Sequence, residues 1–178
     1  MDNNSIETSQ ELNIFREAVR RASKEKIAPL ASSIDELGEF NREVEALCWD
    51  LGLLNLALPP EFGGLEKNSG TALCIAVEEL ARVCAASALL LIIQAVGSYP
   101  IVHGLSRQIR DKVLTRIAEE RRLVAYLVTE PSGGSDVAGL KTTAVRDGNE
   151  YVLNGTKCFA TNGGVASIYV TVQRESTV

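Results

Sequence analysis

The stretch Tyr126-Leu-Val-Thr-Glu-Pro-Ser-Gly-Gly-Ser-Asp136 lies between two regions with different sequence patterns. Apolar residues before it recur at helical spacing, whereas short apolar runs separated by Gly and Asn follow it. The run 123–128 is typical of a buried strand, which Pro131 ends. Gly133 and Gly134 leave room for a bulky group beside the backbone, although an ordinary turn has the same composition. We therefore expect a ligand at this junction if other parts of the sequence support one.

Downstream of this stretch, three turn motifs divide the chain into short β segments. Asp147-Gly148-Asn149 and Asn154-Gly155 are strong hairpin signals because Gly and Asn tolerate positive φ, and Asn162-Gly163-Gly164 is a third turn. These turns predict an antiparallel meander and not a parallel sheet. A Rossmann-type domain is excluded because the sequence has neither GxGxxG nor a strand-helix-strand repeat. The predicted β segments of the meander are 142–146, 151–153, 157–161 and 168–173.

Upstream, capping and stop signals divide the chain into about five helices. Thr8 and Glu11 form a capping box for the first helix, which ends just before Pro29. Asn41 is placed to cap a second helix, which stops at Gly52. A third helix is predicted to begin at Ser69 or Thr71, a buried fourth to cover 88–96 and end at Gly97 and Pro100, and a last to cover 106–120.

These patterns predict an α+β fold with two parts. Residues 1–121 are expected to form an all-α domain, and residues 122–178 a partial antiparallel β domain. The last predicted strand is followed by only five residues. A half-sheet of this kind would leave edges and one apolar face uncovered, so we expect the sequence to be part of a longer chain.

Composition indicates a soluble globular protein that does not bind nucleic acid. Hydrophobic residues make up 46% of the chain, charged residues 23%, and the net charge is -5. Phosphate binding needs concentrated positive charge, and the sequence has no long Lys/Arg cluster. The uncharged stretch 83–102 has the length of a membrane span, but Gln94, Gly97 and Pro100 interrupt it, and a buried helix accounts for it better. Because the polar N-terminus lacks a signal-peptide pattern, we expect a cytoplasmic protein.

Metal and nucleophilic sites are not expected. The four cysteines lie in apolar sequence without a CxxC motif, which is typical of buried thiols in a reducing compartment. The single histidine, His103, would have to carry a zinc site or a catalytic triad alone, and a helix-end or loop residue is the simpler interpretation. Glu78 and Glu79 diverge by about 100° on a helix, so ion pairing or solvation is expected instead of acid/base chemistry.

Two motifs carry a resemblance to a known family. The segment 126–136, a TEPxxGSD element, and the segment 154–164, Asn-Gly-Thr-Lys-Cys-Phe-Ala-Thr-Asn-Gly-Gly, lie about 20 residues apart and closely resemble the acyl-CoA dehydrogenase family. The segments 59–64 and 78–82 extend the resemblance into the helical half. The resemblance implies a helical N-terminal domain, a middle β domain, a C-terminal helical bundle, a tetramer and bound FAD.

The resemblance also implies roles for individual residues. Backbone amides and hydroxyls of the first segment would contact the flavin ring and its linker, and residues of the second would lie on another side of the isoalloxazine. Phe159 takes a position where many relatives have tryptophan. Ser135 would also touch the CoA part of the substrate, and helix 88–96 would line the acyl pocket. The implied flavin-binding residues are Tyr126, Val128, Thr129, Gly134, Ser135, Phe159, Ala160 and Thr161, and the implied substrate residues are Ser135, Ala88, Ile92 and Val96.

The implied reaction converts an acyl-CoA to a 2-enoyl-CoA, with electrons passing to an electron-transferring flavoprotein. In the family, a glutamate of the C-terminal bundle removes the α-proton, and this sequence does not contain that bundle. We therefore expect no catalytic base here. Glu130 is rejected for that role because the TEP motif is a loop feature of the family.

Two alternative interpretations remain open at the level of sequence. Acyl-CoA oxidases and flavin monooxygenases share the architecture, and their distinguishing residues lie mostly outside this sequence. A non-catalytic truncated paralogue that acts as a binding module is the second alternative, and it predicts a chain that binds no flavin.

Overall fold

The structure, a computed structural model, describes residues 3–176 and the side chains of residues 10–174. A helical part is followed by two small sheets, which confirms the predicted α+β class. Short π- and 3-10-helical turns, Ser23–Ile27, Ala28–Leu30, Leu53–Asn55 and Pro60–Phe62, connect the first helices. The α-helices of the described chain are α1 (Asn3–Ala22), α2 (Ala31–Leu37), α3 (Arg42–Asp50), α4 (Ser69–Ala81), α5 (Ala85–Gly104) and α6 (Arg107–Glu119).

The helix boundaries follow the sequence signals in part. The Asn41 side chain caps α3 by accepting a hydrogen bond from the Val44 amide at 2.9 Å, as predicted. Helix α1 begins at Asn3, so the expected start at Thr8 is wrong, and the Thr8 side chain lies outside the described residues.

Helix α5 runs through both of its predicted stop signals. It continues past Gly97 and Pro100 to Gly104. Gly97 is a packing residue because a Cβ there would lie 2.5 Å from Cγ1 of Val124 on the adjacent strand. Close packing of α5 on this strand therefore outweighs the weak helix propensity of its C-terminal half.

The core is built around α5. This helix packs against α4, α6, the Leu53–Asn55 turn and the first strand. Its Leu91 is 1% exposed, and Leu114 and Ile117 of α6 are fully buried beside it in the same cluster. Their burial removes large apolar side chains from water, the main driving force for this packing.

The β part consists of two sheets and differs from the predicted meander. Strand β1 (Val124–Leu127) pairs in parallel with β4 (Ile168–Thr171). Strand β2 (Thr143–Asp147) forms the predicted antiparallel hairpin with β3 (Glu150–Asn154), and pairs in parallel with β5 (Arg174–Ser176). The four-stranded antiparallel meander is therefore wrong, although its first hairpin is confirmed.

The segment 157–161 explains this difference because it is not a strand. The Cys158 amide donates to the Thr129 carbonyl oxygen at 2.9 Å, and the Lys157 ammonium donates to the Val128 carbonyl oxygen at 2.9 Å. These bonds direct the chain away from β3 and towards the end of β1. The turn after Thr161 then returns it beside β1.

A buried amide joins α5 to β1. Oε1 of Gln94, a residue with no exposed surface, accepts a hydrogen bond from the Val124 amide at 2.9 Å. Its Nε2 donates to the Arg122 carbonyl oxygen at 3.2 Å. Both polar atoms of the side chain are bonded to backbone groups at the start of β1. Gln94 therefore fixes the position of the first residue of β1 relative to α5.

Helices α1 and α4 are joined by an ion-pair cluster. Glu79, whose side chain has no exposed surface, accepts hydrogen bonds from Arg16 at 2.8 Å and from Arg20 at 2.9 Å. Its neighbour Glu78, with 47% of its side chain exposed, pairs with Arg16 and Arg82. Ion pairing between helices, not acid/base chemistry, is thus the confirmed interpretation of this glutamate pair.

Remaining sequence expectations have mixed outcomes. His103 lies in the last turn of α5, stacked on Tyr99, as expected of a helix-end histidine. Cys48 and Cys84 are buried and Cys158 is half-buried, but Cys74 is exposed on α4, so the expectation of four buried thiols is wrong. Because α4 presents Cys74 away from its packed face, its apolar sequence neighbours do not bury it.

Helix α5 is long and apolar enough to cross a membrane, and it alone meets that test among the described residues. Half of its most apolar window is buried inside the protein. A core helix meets the same criterion, and the buried Gln94 contacts identify α5 as part of the core.

Replacement of Gln94 tests the link between α5 and β1. Gln94→Met keeps the side-chain volume but leaves the buried Val124 amide and the Arg122 carbonyl without partners, so we expect the free energy of unfolding to fall by about 2 kcal/mol. Chemical denaturation measures this loss, and hydrogen exchange at the Val124 amide should accelerate. Ser98→Ala is the matched control, because its hydroxyl bonds within α5 to the Gln94 carbonyl oxygen. Equal stability of Gln94→Met and the wild type would contradict the assignment.

Acid titration tests the α1–α4 cluster. Hydrogen bonds from Arg20, and secondarily from Arg16, outweigh burial and lower the pKa of Glu79 from 4.5 to about 2. Because the folded-state pKa is depressed, the stabilisation is complete above the unfolded-state pKa and is lost as the pH falls towards 2.

Glu79→Gln should therefore lower the free energy of unfolding at pH 7 by about 2 kcal/mol, a typical value for hydrogen bonds to a charged group. Its stability should also depend less on pH between pH 5 and pH 2 than that of the wild type. Glu78→Gln, at the exposed neighbouring position, should have a much smaller effect. Parallel pH profiles for Glu79→Gln and the wild type would refute this role.

Candidate functional site

A tight turn at the end of β1 shapes the segment 126–136. The Glu130 amide donates to the Gly133 carbonyl oxygen, and the Gly133 amide donates back to Glu130, both at 3.0 Å. Pro131 and Ser132 occupy the turn, and Gly133 has a φ of 149° that disfavours other residues. The predicted end of the strand near Pro131 is thus confirmed, and the segment projects beyond the sheet.

The Glu130 carboxylate is the centre of a buried polar network. Its side chain is 4% exposed. It accepts hydrogen bonds from the Lys141 amide at 2.7 Å, the Thr142 amide at 2.8 Å and the Thr142 hydroxyl at 2.6 Å. Lys157 Nζ is a fourth donor at 3.0 Å. The Thr142 hydroxyl and the Lys141 amide are the main causes that lower the pKa of Glu130 to about 2.

Lys157 connects the network to the segment 154–164. Its side chain is 9% exposed, and its ammonium donates both to the Glu130 carboxylate and to the Val128 carbonyl oxygen. The following residue, Cys158, donates its amide to the Thr129 carbonyl oxygen. The two segments that carry the family resemblance are therefore held side by side through three bonds.

Thr129, which lies between these bonds, has two donors without a partner among the described residues. Within residues 3–176, neither its amide N–H nor its hydroxyl has a hydrogen-bond partner, and the residue is half-buried. A Cβ on Gly134 would lie 2.9 Å from the Thr129 hydroxyl oxygen and 3.2 Å from its methyl carbon. Glycine at 134 thus lets the loop fold closely over Thr129. Half-buried donors without partners are suited to a bound ligand.

Phe159 is held in a conformation that exposes its ring. Its φ is 54°, which is uncommon for a residue with a Cβ, and 90% of its surface is exposed. Such a conformation is unfavourable unless the surrounding structure imposes it, and the Cys158 bond to Thr129 lies immediately before it. The large exposed ring is available to cover a flat ligand.

Asn162 fixes the end of the second segment against β1. It has a φ of 66°, and its Nδ2 donates to the Val124 carbonyl oxygen at 3.1 Å. Ala160 and Thr161, just before it, are half-buried. Thr161 and Asn162 also line a surface cavity of about 380 Å³ whose apolar walls include Phe40, Leu89 and Leu90.

At this cavity, α5 lies next to the second segment. Of the three α5 residues expected to line the acyl pocket, one is not accessible. Val96 is 37% exposed and Ile92 is half-buried, whereas Ala88 is 3% exposed and belongs to the core cluster. The adjacent Leu89, which is 47% exposed, is the accessible side chain at this turn of the helix. The side chain of Ala88 is therefore not accessible, because α5 turns that face towards the core.

The other predicted residues differ in their accessibility. Tyr126 lies on β1 and is half-buried, as is Val128 at the end of the strand. Ser135 is exposed beside the half-buried Gly134. The structure thus brings Thr129 and Gly134 into contact and places Thr161 beside α5. The individual roles implied by resemblance stay predictions.

Three linking residues could not be assigned from sequence. Gln94 was read as an interruption of an apolar stretch, Glu130 as a loop feature, and Lys157 as part of a motif. The bonds of Gln94 to the strand entrance and the Lys157–Glu130 pair join positions at least 27 residues apart, which local patterns do not encode. The sequence offered one signal for the Lys157–Glu130 pair: each motif segment has few charged residues, and these two carry opposite charges.

The described residues form no metal-binding cluster, and Glu130 is not suited to act as a general base. They contain no group of three or more His, Cys, Asp or Glu side chains suited to a metal ion. Glu130 is committed to four donors and has a pKa near 2, so it is a poor proton acceptor.

Known proteins with similar sequences are acyl-CoA dehydrogenases. The chain matches a 60% identical cyclohexane-1-carbonyl-CoA dehydrogenase of Geobacter metallireducens over 95% of this chain and 44% of the relative. A protein of the same name from Syntrophus aciditrophicus is 52% identical over 90% of this chain and 42% of the relative. The chain therefore spans less than half the length of these curated relatives.

Solved structures show the same fold. A glutaryl-coenzyme A dehydrogenase in complex with glutaryl-CoA superposes with a TM-score of 0.84 at 29% identity, covering 90% of this chain and 42% of that one. A glutaryl-CoA dehydrogenase from Mycobacterium smegmatis in complex with FADH2 gives a TM-score of 0.86 at 25% identity, with 94% and 43% covered.

Family models match both parts of the chain at the boundary between helices and strands. Residues 9–121 match the acyl-CoA dehydrogenase N-terminal domain, and residues 125–178 match the acyl-CoA dehydrogenase middle domain. Together with the paired segments at the end of β1, these matches show that the chain belongs to the acyl-CoA dehydrogenase family.

Proposed function

We propose that this chain supplies the flavin-facing wall of an FAD-dependent acyl-CoA dehydrogenase, which converts an acyl-CoA to a 2-enoyl-CoA. The observation that carries the proposal is the half-buried Thr129, whose amide and hydroxyl are without partners between two bonded segments. The exposed ring of Phe159 on the neighbouring segment adds an apolar surface. A flat heterocycle with several acceptors suits this combination of donors and aromatic surface.

The residues present fit FAD by their chemistry. When bound, the flavin supplies the acceptor for the hydride that leaves the acyl group. Thr129 would donate hydrogen bonds to the flavin ring, Phe159 would cover part of it, and Ser135 would donate from the adjacent loop. Fixed donors beside a ring that gains negative charge on reduction favour the reduced form.

The proton acceptor of the reaction is not assigned to this chain. A carboxylate that removes an α-proton must be free to take it up near neutral pH. Glu130 and Glu79, the two buried carboxylates among the described residues, both have pKa values lowered to about 2 by their donors. Neither can hold the proton at physiological pH, so both are structural.

The proposed substrate class is an alicyclic acyl-CoA. Two relatives above 50% identity are named for cyclohexane-1-carbonyl-CoA. Leu89 of α5 lines the cavity together with the carboxylates of Asp35 and Glu39, and the half-buried Ile92 and the exposed Val96 continue the apolar face of the helix. Apolar and acidic groups suit a hydrocarbon ring better than an acyl group that carries a carboxylate. We further propose a homotetramer that passes electrons to an electron-transferring flavoprotein, as the resemblance implies. The cytoplasmic location expected from the polar N-terminus is also a proposal.

Anaerobic flavin bleaching tests this function. Protein of full family length, reconstituted with FAD, is mixed with cyclohexane-1-carbonyl-CoA, butyryl-CoA and glutaryl-CoA in the absence of oxygen. We expect the first compound to bleach the visible absorption band of the oxidised flavin. The carboxylate of glutaryl-CoA should make it the poorest of the three. Failure of every acyl-CoA to bleach the flavin would contradict the dehydrogenase proposal.

Gly134→Ala tests the flavin site itself. The added methyl group would press on Thr129, a β-branched side chain that cannot easily rotate away, and displace its donors. We expect the affinity for FAD to fall about tenfold, consistent with the usual cost of overpacking.

Quenching of FAD fluorescence measures the affinity. Gly70→Ala is the matched control, because a Cβ at that position in α4 meets no atom within 4 Å. Wild-type affinity in the Gly134→Ala protein would show that the loop over Thr129 is not part of the flavin site.

A further inference from the structure

Lys157 is a largely buried cation that donates to a carboxylate and to a backbone carbonyl. Its side chain is 9% exposed, and Nζ lies 3.0 Å from the Glu130 carboxylate and 2.9 Å from the Val128 carbonyl oxygen. We propose that Lys157 is a positioning residue for the flavin, which holds the peptide between Val128 and Thr129 so that the Thr129 N–H faces the ligand. This inference rests on the proposed function.

The geometry of the peptide bond carries the first step. No peptide bond of the described chain is cis, so the Val128 carbonyl and the Thr129 N–H point in opposite directions. Because the carbonyl is bonded to Lys157, the N–H is directed away from the second segment's lysine. That N–H is the donor without a partner among residues 3–176.

The neighbouring peptide is held in the same way. The Thr129 carbonyl oxygen accepts from the Cys158 amide at 2.9 Å. The carbonyl groups on both sides of the Thr129 Cα are therefore tied to consecutive residues of the second segment, which leaves Thr129 little freedom to rotate. A donor fixed in this way does not have to be ordered when the ligand binds.

Hydrogen bonding to Glu130 alone does not explain why position 157 is a lysine. The Lys141 amide, the Thr142 amide and the Thr142 hydroxyl already donate to this carboxylate. Lys157 adds a bond that these three neutral donors do not make, the one to the Val128 carbonyl oxygen. Glu130 in turn supplies the opposite charge that a buried ammonium requires.

Lys157→Met separates these roles. Methionine keeps an unbranched apolar stem in the buried space, and Glu130 retains its three other donors, so we expect the protein to fold. The Val128–Thr129 peptide loses its fixed direction. FAD affinity should then fall about tenfold, the value of one misdirected hydrogen bond, and the visible circular dichroism of bound flavin should change.

Thr142→Val is the matched control. It is nearly isosteric and removes one donor from the same carboxylate, but leaves the Lys157 bond to Val128 in place. We expect lower thermal stability with FAD affinity and flavin spectrum close to those of the wild type. Equal losses of FAD affinity in Thr142→Val and Lys157→Met would overturn the inference, because general loosening of the network would then explain both.

A second variant covers the case in which Lys157→Met does not fold. Lys157→Arg keeps the positive charge beside Glu130, but its longer planar group cannot place a donor at the ammonium position. Weaker FAD binding with wild-type far-ultraviolet circular dichroism supports the positioning role, and unchanged FAD affinity contradicts it.

The experiment distinguishes this inference from the proposed function. FAD titrations use protein of full family length, monitored by flavin fluorescence and visible circular dichroism. Failure of the wild type to bind FAD contradicts the proposed function. Tight binding by the wild type and by Lys157→Met alike contradicts only the role of Lys157.

Discussion

The arrangement of the site depends on one buried carboxylate. Glu130 lies at the end of β1 and collects donors from the start of β2 and from the second motif segment. These donors offset the cost of burying the Glu130 charge, and they link three chain segments to one another. Its depressed pKa of about 2 keeps it charged, and keeps the network intact, throughout the physiological pH range. The same commitment removes Glu130 from proton transfer.

Helix α5 holds strand β1 in place, and the Glu130 network follows that strand. Gln94 bonds to the backbone at the entrance of β1, and Gly97 lets the strand approach the helix closely. Asn162 returns the second segment to the Val124 carbonyl oxygen on the same strand. Because the apolar face of α5 and the Thr129 donors are fixed to one strand, the proposed substrate wall and the proposed flavin wall have a defined relative position. This arrangement explains why uncharged polar groups occur inside an otherwise apolar helix.

Sequence patterns were sufficient for features that local chemistry determines. The Asn41 cap, the turn at Pro131 and the hairpin at Gly148 are each set by residues a few positions apart, and all three are present. The pairing of β4 with β1 was missed because it depends on the long-range contacts of Lys157 and Cys158. The end of α5 was placed too early because Gly97, a helix breaker by propensity, serves close packing. For the site, the motifs identified both segments, but burial of Ala88 could be known only from the packing of α5.

A crystal structure of the FAD-loaded protein of full family length is the most direct test that the two motif segments form one wall of a flavin site. We expect the Thr129 amide to lie within hydrogen-bond distance of the flavin ring, and the Phe159 ring to be in contact with it. We also expect Lys157 to lie between the Glu130 carboxylate and the Val128 carbonyl oxygen, as in the structure described above. Flavin bound away from the end of β1, with the Thr129 amide bonded to protein instead, would contradict this arrangement.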